Sequence, residues 1–210
     1  SPLGSSACRP REELVPAILE THPISQPSYL KENYTNASDV SGIFMVAYDE
    51  GRLYLAIRVI DDVFSQPFQG SDLLRGDSIV VSLDTDLPGD FYEQANNLDD
   101  YRVGLSPGDF SSLPPEAYIW VPQETTGDEI SIASSKTSNG YTIEAAIPWW
   151  NFQNFEVRDG KAIGFDVSIN DKDFLEEREL AISFSPHLDW NDPTSFGTLV
   201  LLDTTKVTGD

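Results

Sequence analysis

The amino-acid sequence predicts an all-β protein: a two-sheet, mainly antiparallel β-sandwich of immunoglobulin or jelly-roll type with about ten strands. Three observations carry this expectation. Apolar and polar residues alternate with a period of two along most of the chain, the mark of half-buried strands rather than helices. Short clusters of Gly, Pro, Asp and Asn separate the alternating runs at the spacing of a sandwich. The 210 residues, 40 % of them hydrophobic, suffice for one sizeable core.

Taken in order, the expected strands are GIFMVAYD from Gly42, RLYLAIRVID from Arg52, DSIVVSLDTD from Asp77, DYRVGLSP from Asp100, AYIWVP from Ala117 and EISIASS from Glu129. GYTIEAAIPW from Gly140, AIGFDVSIND from Ala162, LAISFSP from Leu180 and GTLVLLD from Gly197 complete the set. Four of these alternate most cleanly, placing Leu53, Leu55, Ile57 and Val59 on one face, then Ile79, Val81 and Leu83, then Tyr141, Ile143, Ala145 and Ile147, then Ile163, Phe165, Val167 and Ile169. DEGR after Tyr48, LPGD at Leu87, SPGD at Ser106 and SNG at Ser138 supply turn chemistry. Short helical turns are expected near REELVPAIL and after Pro148. Residues 1–20 read as a lead-in and residues 21–205 as a single sandwich domain.

Thirteen basic against thirty-five acidic residues give a formal charge of −22, which repels nucleic-acid phosphates and anionic membrane surfaces. The acids are spread among strand-like segments rather than gathered in a tail. One cysteine, Cys8, excludes an internal disulfide, and no zinc-ligand spacing is present, so a metal would be held by oxygen. No run approaches the length of a membrane span. The opening SPLGSSAC reads as a linker or cloning remnant, with the end of an export signal before a lipidated Cys8 as the alternative.

Catalytic signals are weak. The chain holds two histidines, His22 and His187, and its thiol lies in the lead-in, which argues against a nucleophile–base triad. No glycine-rich phosphate loop follows a strand. Glu144 falls on the polar face of its expected strand, where a solvated or ion-paired carboxylate is the default. The sequence reads as non-enzymatic.

Trp190 stands out because Asp189, Asn191 and Asp192 surround it in a proline-containing turn before the last strand. An indole there can be partly exposed, and a pyranose packs its C–H face on an aromatic plane while its hydroxyls need polar partners. His187, Asp189, Asn191 and Asp192 offer such partners.

The ordered blocks VAYDEGRLYLAIRVIDD, RGDSIVVSLDTD, DYRVGL, GYTIEAAIPWW, IGFDVSINDKD and WNDPTSFGTLVL, from about Gly42 to Asp203, resemble the family 9 carbohydrate-binding modules and their DOMON-like relatives. The resemblance implies a β-sandwich, structural calcium, and a secreted module, extracellular, periplasmic or at the cell surface, often appended to a polysaccharide-degrading enzyme. It also implies a slot that clamps a sugar between two tryptophans. Trp190 matches one of them and Arg102 matches an arginine that donates to the sugar. Leu74 stands where the second tryptophan lies, Val80 replaces a glutamate, and His187 replaces an asparagine. Phe68, Tyr101 and Trp120 are further aromatics, each expected chiefly in core packing. Trp149 and Trp150 are adjacent, so one should be buried and one more exposed.

Calcium takes six to eight oxygen ligands, and two strand ends offer carboxylates at Asp61 with Asp62 and at Asp84 with Asp86. The DOMON-like relatives also include b-type cytochromes, which leaves a haem electron-transfer domain as the second reading. Met45 and His187 would then be the axial pair. The first reading is carbohydrate binding, with an oligo- or polysaccharide and a catalytic domain of the same protein as partners.

Overall fold

The computed structural model describes residues 21–173 and 180–203. The lead-in, Cys8 and the helical turn expected near Arg11–Leu19 lie outside the described residues. Thirteen strands form two antiparallel sheets among the described residues: β1 (His22–Ile24), β2 (Gln26–Tyr29), β3 (Val40–Tyr48), β4 (Arg52–Asp61), β5 (Ser78–Asp84), β6 (Asp100–Ser106) and β7 (Glu116–Val121), then β8 (Thr125–Thr126), β9 (Ser131–Thr137), β10 (Gly140–Pro148), β11 (Lys161–Asp171), β12 (Leu180–Ser183) and β13 (Gly197–Leu201). The first sheet runs β1-β3-β4-β10-β9 and the second β2-β12-β11-β5-β6-β7-β8, with β13 also paired to β11.

The period-two reading places the core correctly. Leu53, Leu55, Ile57, Ile79, Val81, Leu83, Ile143, Phe165 and Val167 are all buried between the sheets. Each such side chain contributes about 1.5–3 kcal/mol by leaving water. The three strands absent from the expected set are short. β1 and β2, HPI and QPSY, each contain a proline and sit at sheet edges, where a missing N–H breaks no central ladder.

Trp149 is 4 % exposed and Trp150 64 % exposed. They part company in a 3-10 turn, Trp149–Asn151, rather than in an extended strand. Trp149 donates its Nε1–H to the Asp49 carbonyl at 2.8 Å, which pins it beneath the turn between β3 and β4.

One consequence of register positions the site. β12 and β13 both pair with β11, at its last and first residues respectively. The chain from Phe184 to Phe196 therefore leaves the sheet and returns to the same strand, projecting a loop at the outer face of the second sheet.

Candidate functional site

On the outer face of the second sheet, register aligns Arg102, Ser82 and Asp166 across β6, β5 and β11, and next to them Gly104, Val80 and Ser168. The loop after β12 carries Trp190 onto these rows. Its Nε1–H donates to Ser168 Oγ at 3.3 Å, and its carbonyl accepts from the Arg102 guanidinium and from Asn96 Nδ2 at 3.2 Å. Arg102 also donates to Asn191 Oδ1 at 3.2 Å, and its Cζ lies 5.9 Å from the centre of the Trp190 ring. The indole thus crosses β5 between Arg102 and Ser168, which explains why Val80 and Ser82 are buried on an outer face.

The polar residues around Trp190 build its turn. Asp189 Oδ1 accepts from the Asn191 N–H at 2.9 Å, Asp192 Oδ1 accepts from the Thr194 N–H at 3.1 Å, and Ser195 Oγ accepts from the Asp189 N–H at 2.9 Å. Asp192 caps the 3-10 helix Pro193–Ser195, with proline at its first turn. These local bonds hold a half-buried aromatic ring, a neighbouring amide and a guanidinium in one place.

Beneath this arrangement Asp166 is buried, and burial pushes its carboxyl up to about 7 against donation from Ser185 and Phe184. Its Oδ2 accepts from the Ser185 N–H at 2.8 Å, anchoring the start of the loop, while Oδ1 has no partner among the described residues.

The other expected site residues are His187, on the Trp190 loop, and Leu74, on a 3-10 helix whose Leu73 lies beside Gly104. His187 is exposed on the loop that carries Trp190, three residues before it, and takes part in no hydrogen bond or ion pair among the described residues. Leu74 lies half-buried on a 3-10 helix, Gly70–Arg75, whose neighbouring Leu73 is fully buried. The sequence pattern did not reveal that helix, because six residues with no repeat carry no periodic signal.

Of the three further aromatics, Tyr101 is in the core, whereas Phe68 and Trp120 are not, contrary to expectation. Phe68 is half-buried under Arg75, whose Cζ lies 4.4 Å from the ring centre. Trp120 lies on the same outer face as Arg102.

The axial pair of the haem reading is not assembled. Met45 alternates outward from Phe44 and Val46 on the first sheet, beside Tyr54, Ala56 and Glu144, while His187 follows β12 of the second sheet. The core lies between them, so the two side chains do not reach one iron.

The acids form three clusters among the described residues, regrouping the expected ligands. Asp61, Asp77 and Asp171, all buried, bring carboxylate oxygens within 4.8 Å of one another where β4 ends, β5 begins and β11 ends. Burial pushes Asp61 up to about 6, with the Asp62 and Asp39 charges adding to the rise and a hydrogen bond with Asp77 opposing it; burial also pushes Asp77 well above the usual range, and the charges of Asp61 and Asp171 raise it further. The hydroxyl of fully buried Tyr141 faces these charges and has no hydrogen-bond partner among the described residues. Buried carboxylates with an orphaned phenolic oxygen beside them suit a hard divalent cation.

Asp62 belongs instead with Asp39 and Asp173, and Asp84 with Asp90 and Asp99. Asp86 joins no cluster: two residues past the end of β5, it is exposed and begins the single helical turn Leu87–Asp90. Sequence proximity grouped these acids by strand end, whereas the fold groups them by sheet register.

The family described as carbohydrate family 9 binding domain-like matches residues 17–204. Over 79 residues the chain is 33 % identical to exoglucanase XynX of Acetivibrio thermocellus and 32 % identical to endo-1,4-beta-xylanase A of Thermoanaerobacterium saccharolyticum, in each case 37 % of this chain and 7 % of the relative. The matched segment is thus a small part of either relative. Among solved structures, a carbohydrate-binding module family 9 from Caldicellulosiruptor kristjanssonii in complex with cellotriose aligns with TM-score 0.66 at 19 % identity, covering 88 % of this chain and 83 % of that one. The module from the same organism in complex with glucose aligns with TM-score 0.64 at 20 % identity, over 87 % and 84 % of the two chains. A protein from Bacteroides uniformis aligns with TM-score 0.61 at 13 % identity, over 87 % and 86 %. These structural likenesses establish the sandwich fold.

Proposed function

The chain belongs to the carbohydrate family 9 binding domain-like family of non-catalytic binding modules, and from that premise we propose that the Arg102–Trp190 face of the second sheet binds an oligo- or polysaccharide. The observation that carries this reading is the convergence, from distant parts of the chain, of a half-buried indole, a guanidinium and the Asn191 amide. The ring offers a plane for the C–H face of a pyranose, and the two polar side chains offer hydrogen bonds to its hydroxyls. Solved modules of this fold hold cellotriose and glucose, which names β-linked glucose units as the first sugars to try.

The buried cluster of Asp61, Asp77 and Asp171 serves as a structural calcium site, with Tyr141 as its neutral neighbour. The cation would neutralise carboxylates drawn from three strands and so tie the two sheets together at one end; it has no part in sugar recognition. The module works outside the cell or at its surface, attached to or associated with a catalytic domain, because its sequence relatives carry the names of glucan- and xylan-degrading enzymes and insoluble polysaccharide fibres do not enter cells. No helix among the described residues is long and apolar enough to cross a membrane.

Isothermal titration with glucose, cellotriose and a xylo-oligosaccharide tests the reading. Saturable binding of at least one sugar, lost in Trp190→Ala, supports it. A wild-type protein that binds none of the three, or a variant that binds as well as wild type, contradicts it.

A further inference from the structure

Register shifts between Arg102 and Val103: Arg102 pairs with Val121 and Val103 with Ile119, leaving Trp120 as the extra residue of a β-bulge. Bulges re-aim side chains. Here Ile119 points into the core and Trp120, alternating with it, lies on the outer face, where the shift sets it over Gly104, two residues beyond Arg102 on β6, rather than directly opposite Arg102. A β-carbon at position 104 would collide with the Trp120 ring, so the glycine is what lets the indole lie against the sheet. The ring is fixed at its other edge, where Nε1–H donates to the Ser71 carbonyl at 3.1 Å, and Tyr118 stands beside it with ring centres 5.5 Å apart. Trp120 and Tyr118 both remain partly exposed.

Arg102 is therefore flanked by two indoles. Trp190 approaches from the β11 side and Trp120 from the β7 side, and both lie on the face that carries the guanidinium. Leu74, on the short helix that Trp120 grips through Ser71, offers no aromatic plane.

We infer that Trp120, with Tyr118, forms a second sugar subsite, so that the face takes a chain of at least two linked pyranoses laid across β6 and β7. This inference rests on the carbohydrate-binding reading and deepens it. Two platforms spaced along a sheet reward chain length: a single sugar occupies one platform, whereas a longer chain reaches both and gains stacking on each. Pre-organisation adds to this, since the bulge, Gly104 and the Ser71 bond fix the ring before any ligand arrives.

The test compares glucose with cellotriose by titration calorimetry on wild type, Trp120→Leu, Trp120→Phe and Trp190→Ala. Leucine keeps an apolar group over Gly104 while removing the aromatic plane, and phenylalanine keeps a ring, so both retain the packing. Wild type should bind cellotriose about tenfold more tightly than glucose, the factor expected of one added stacking contact. Trp120→Leu should bring that ratio to near one, Trp120→Phe should restore most of it, and Trp190→Ala should lose both sugars. A wild-type ratio near one, or a ratio unchanged in Trp120→Leu, overturns the second subsite while leaving the first in place. Failure of wild type to bind either sugar overturns both.

Discussion

Arg102 and Trp190 are separated by 88 positions in the chain, yet the guanidinium donates to the Trp190 carbonyl and lies 5.9 Å from the centre of its ring. The arginine thus does two things at once: it holds the turn that presents the indole, and it keeps charge-assisted donors beside the indole's face. Arg102→Ala should therefore weaken sugar binding by about 1.5–3 kcal/mol and also loosen the turn. Arg102→Lys keeps the charge without the planar fork, and should recover less than half of that loss. Titration calorimetry alongside thermal melts checks both variants; wild-type affinity in Arg102→Ala would exclude the arginine from the site.

Trp190→Ala should remove sugar binding at a stability cost of about 1–2 kcal/mol, less than the 3–5 kcal/mol of a fully buried aromatic. The ring is half-exposed, and its loss leaves Ser168 Oγ accessible to water rather than enclosing a dry cavity. Urea unfolding of the two proteins measures the difference. A loss of 4 kcal/mol or more would make the indole a structural plug.

Calcium should raise thermal stability and EDTA should lower it. A cation bound a thousandfold above its dissociation constant adds about 4 kcal/mol, on the order of a 10 °C shift for a domain of this size. Asp77→Asn should abolish most of the calcium response, because that carboxylate lies within reach of both Asp61 and Asp171. A melting curve indifferent to both calcium and EDTA would remove the metal from this site.

The buried carboxyl of Asp166 makes stability fall as pH rises. Its folded value, pushed up to about 7, stands above the ordinary 3.8, so the fold prefers the neutral acid. The stabilisation is fully present below about pH 4 and is lost as pH rises through 7. Asp166→Asn, neutral throughout, should be the more stable protein at pH 8, by up to about 4 kcal/mol, and should flatten the profile between pH 4 and 8. Melts across that range decide it; parallel profiles for the two proteins would show that Asp166 is ionised in the fold without penalty.

The core and the Trp190 turn were legible in the sequence because each is a local pattern. Ile79, Val81 and Leu83 declare a buried face by alternation alone, and the carboxylates around Trp190 mark a turn through their own side-chain chemistry. What escaped depends on register between distant strands. Asp77 and Asp171 join Asp61 because β4 and β11 end where β5 begins, which no spacing along the chain encodes. Trp120 is expected in the core as a large aromatic, yet the alternation with Ala117 and Ile119 places it on the outer face, and what the sequence hides is the bulge that sets it over Gly104 rather than directly opposite Arg102.

The four indole N–H groups provide the most direct measurement of the central claim. Proton–nitrogen correlation spectra, with each tryptophan assigned by its phenylalanine variant, report each ring separately during titration with cellotriose. The account predicts that the Trp190 signal shifts first and most, joined by Trp120. The Trp149 signal, bonded to the Asp49 carbonyl, and that of Trp150 at the far end of β10 should stay in place. A saturating titration in which only Trp150 moves, or in which no indole moves, would contradict a sugar site at Arg102 and Trp190.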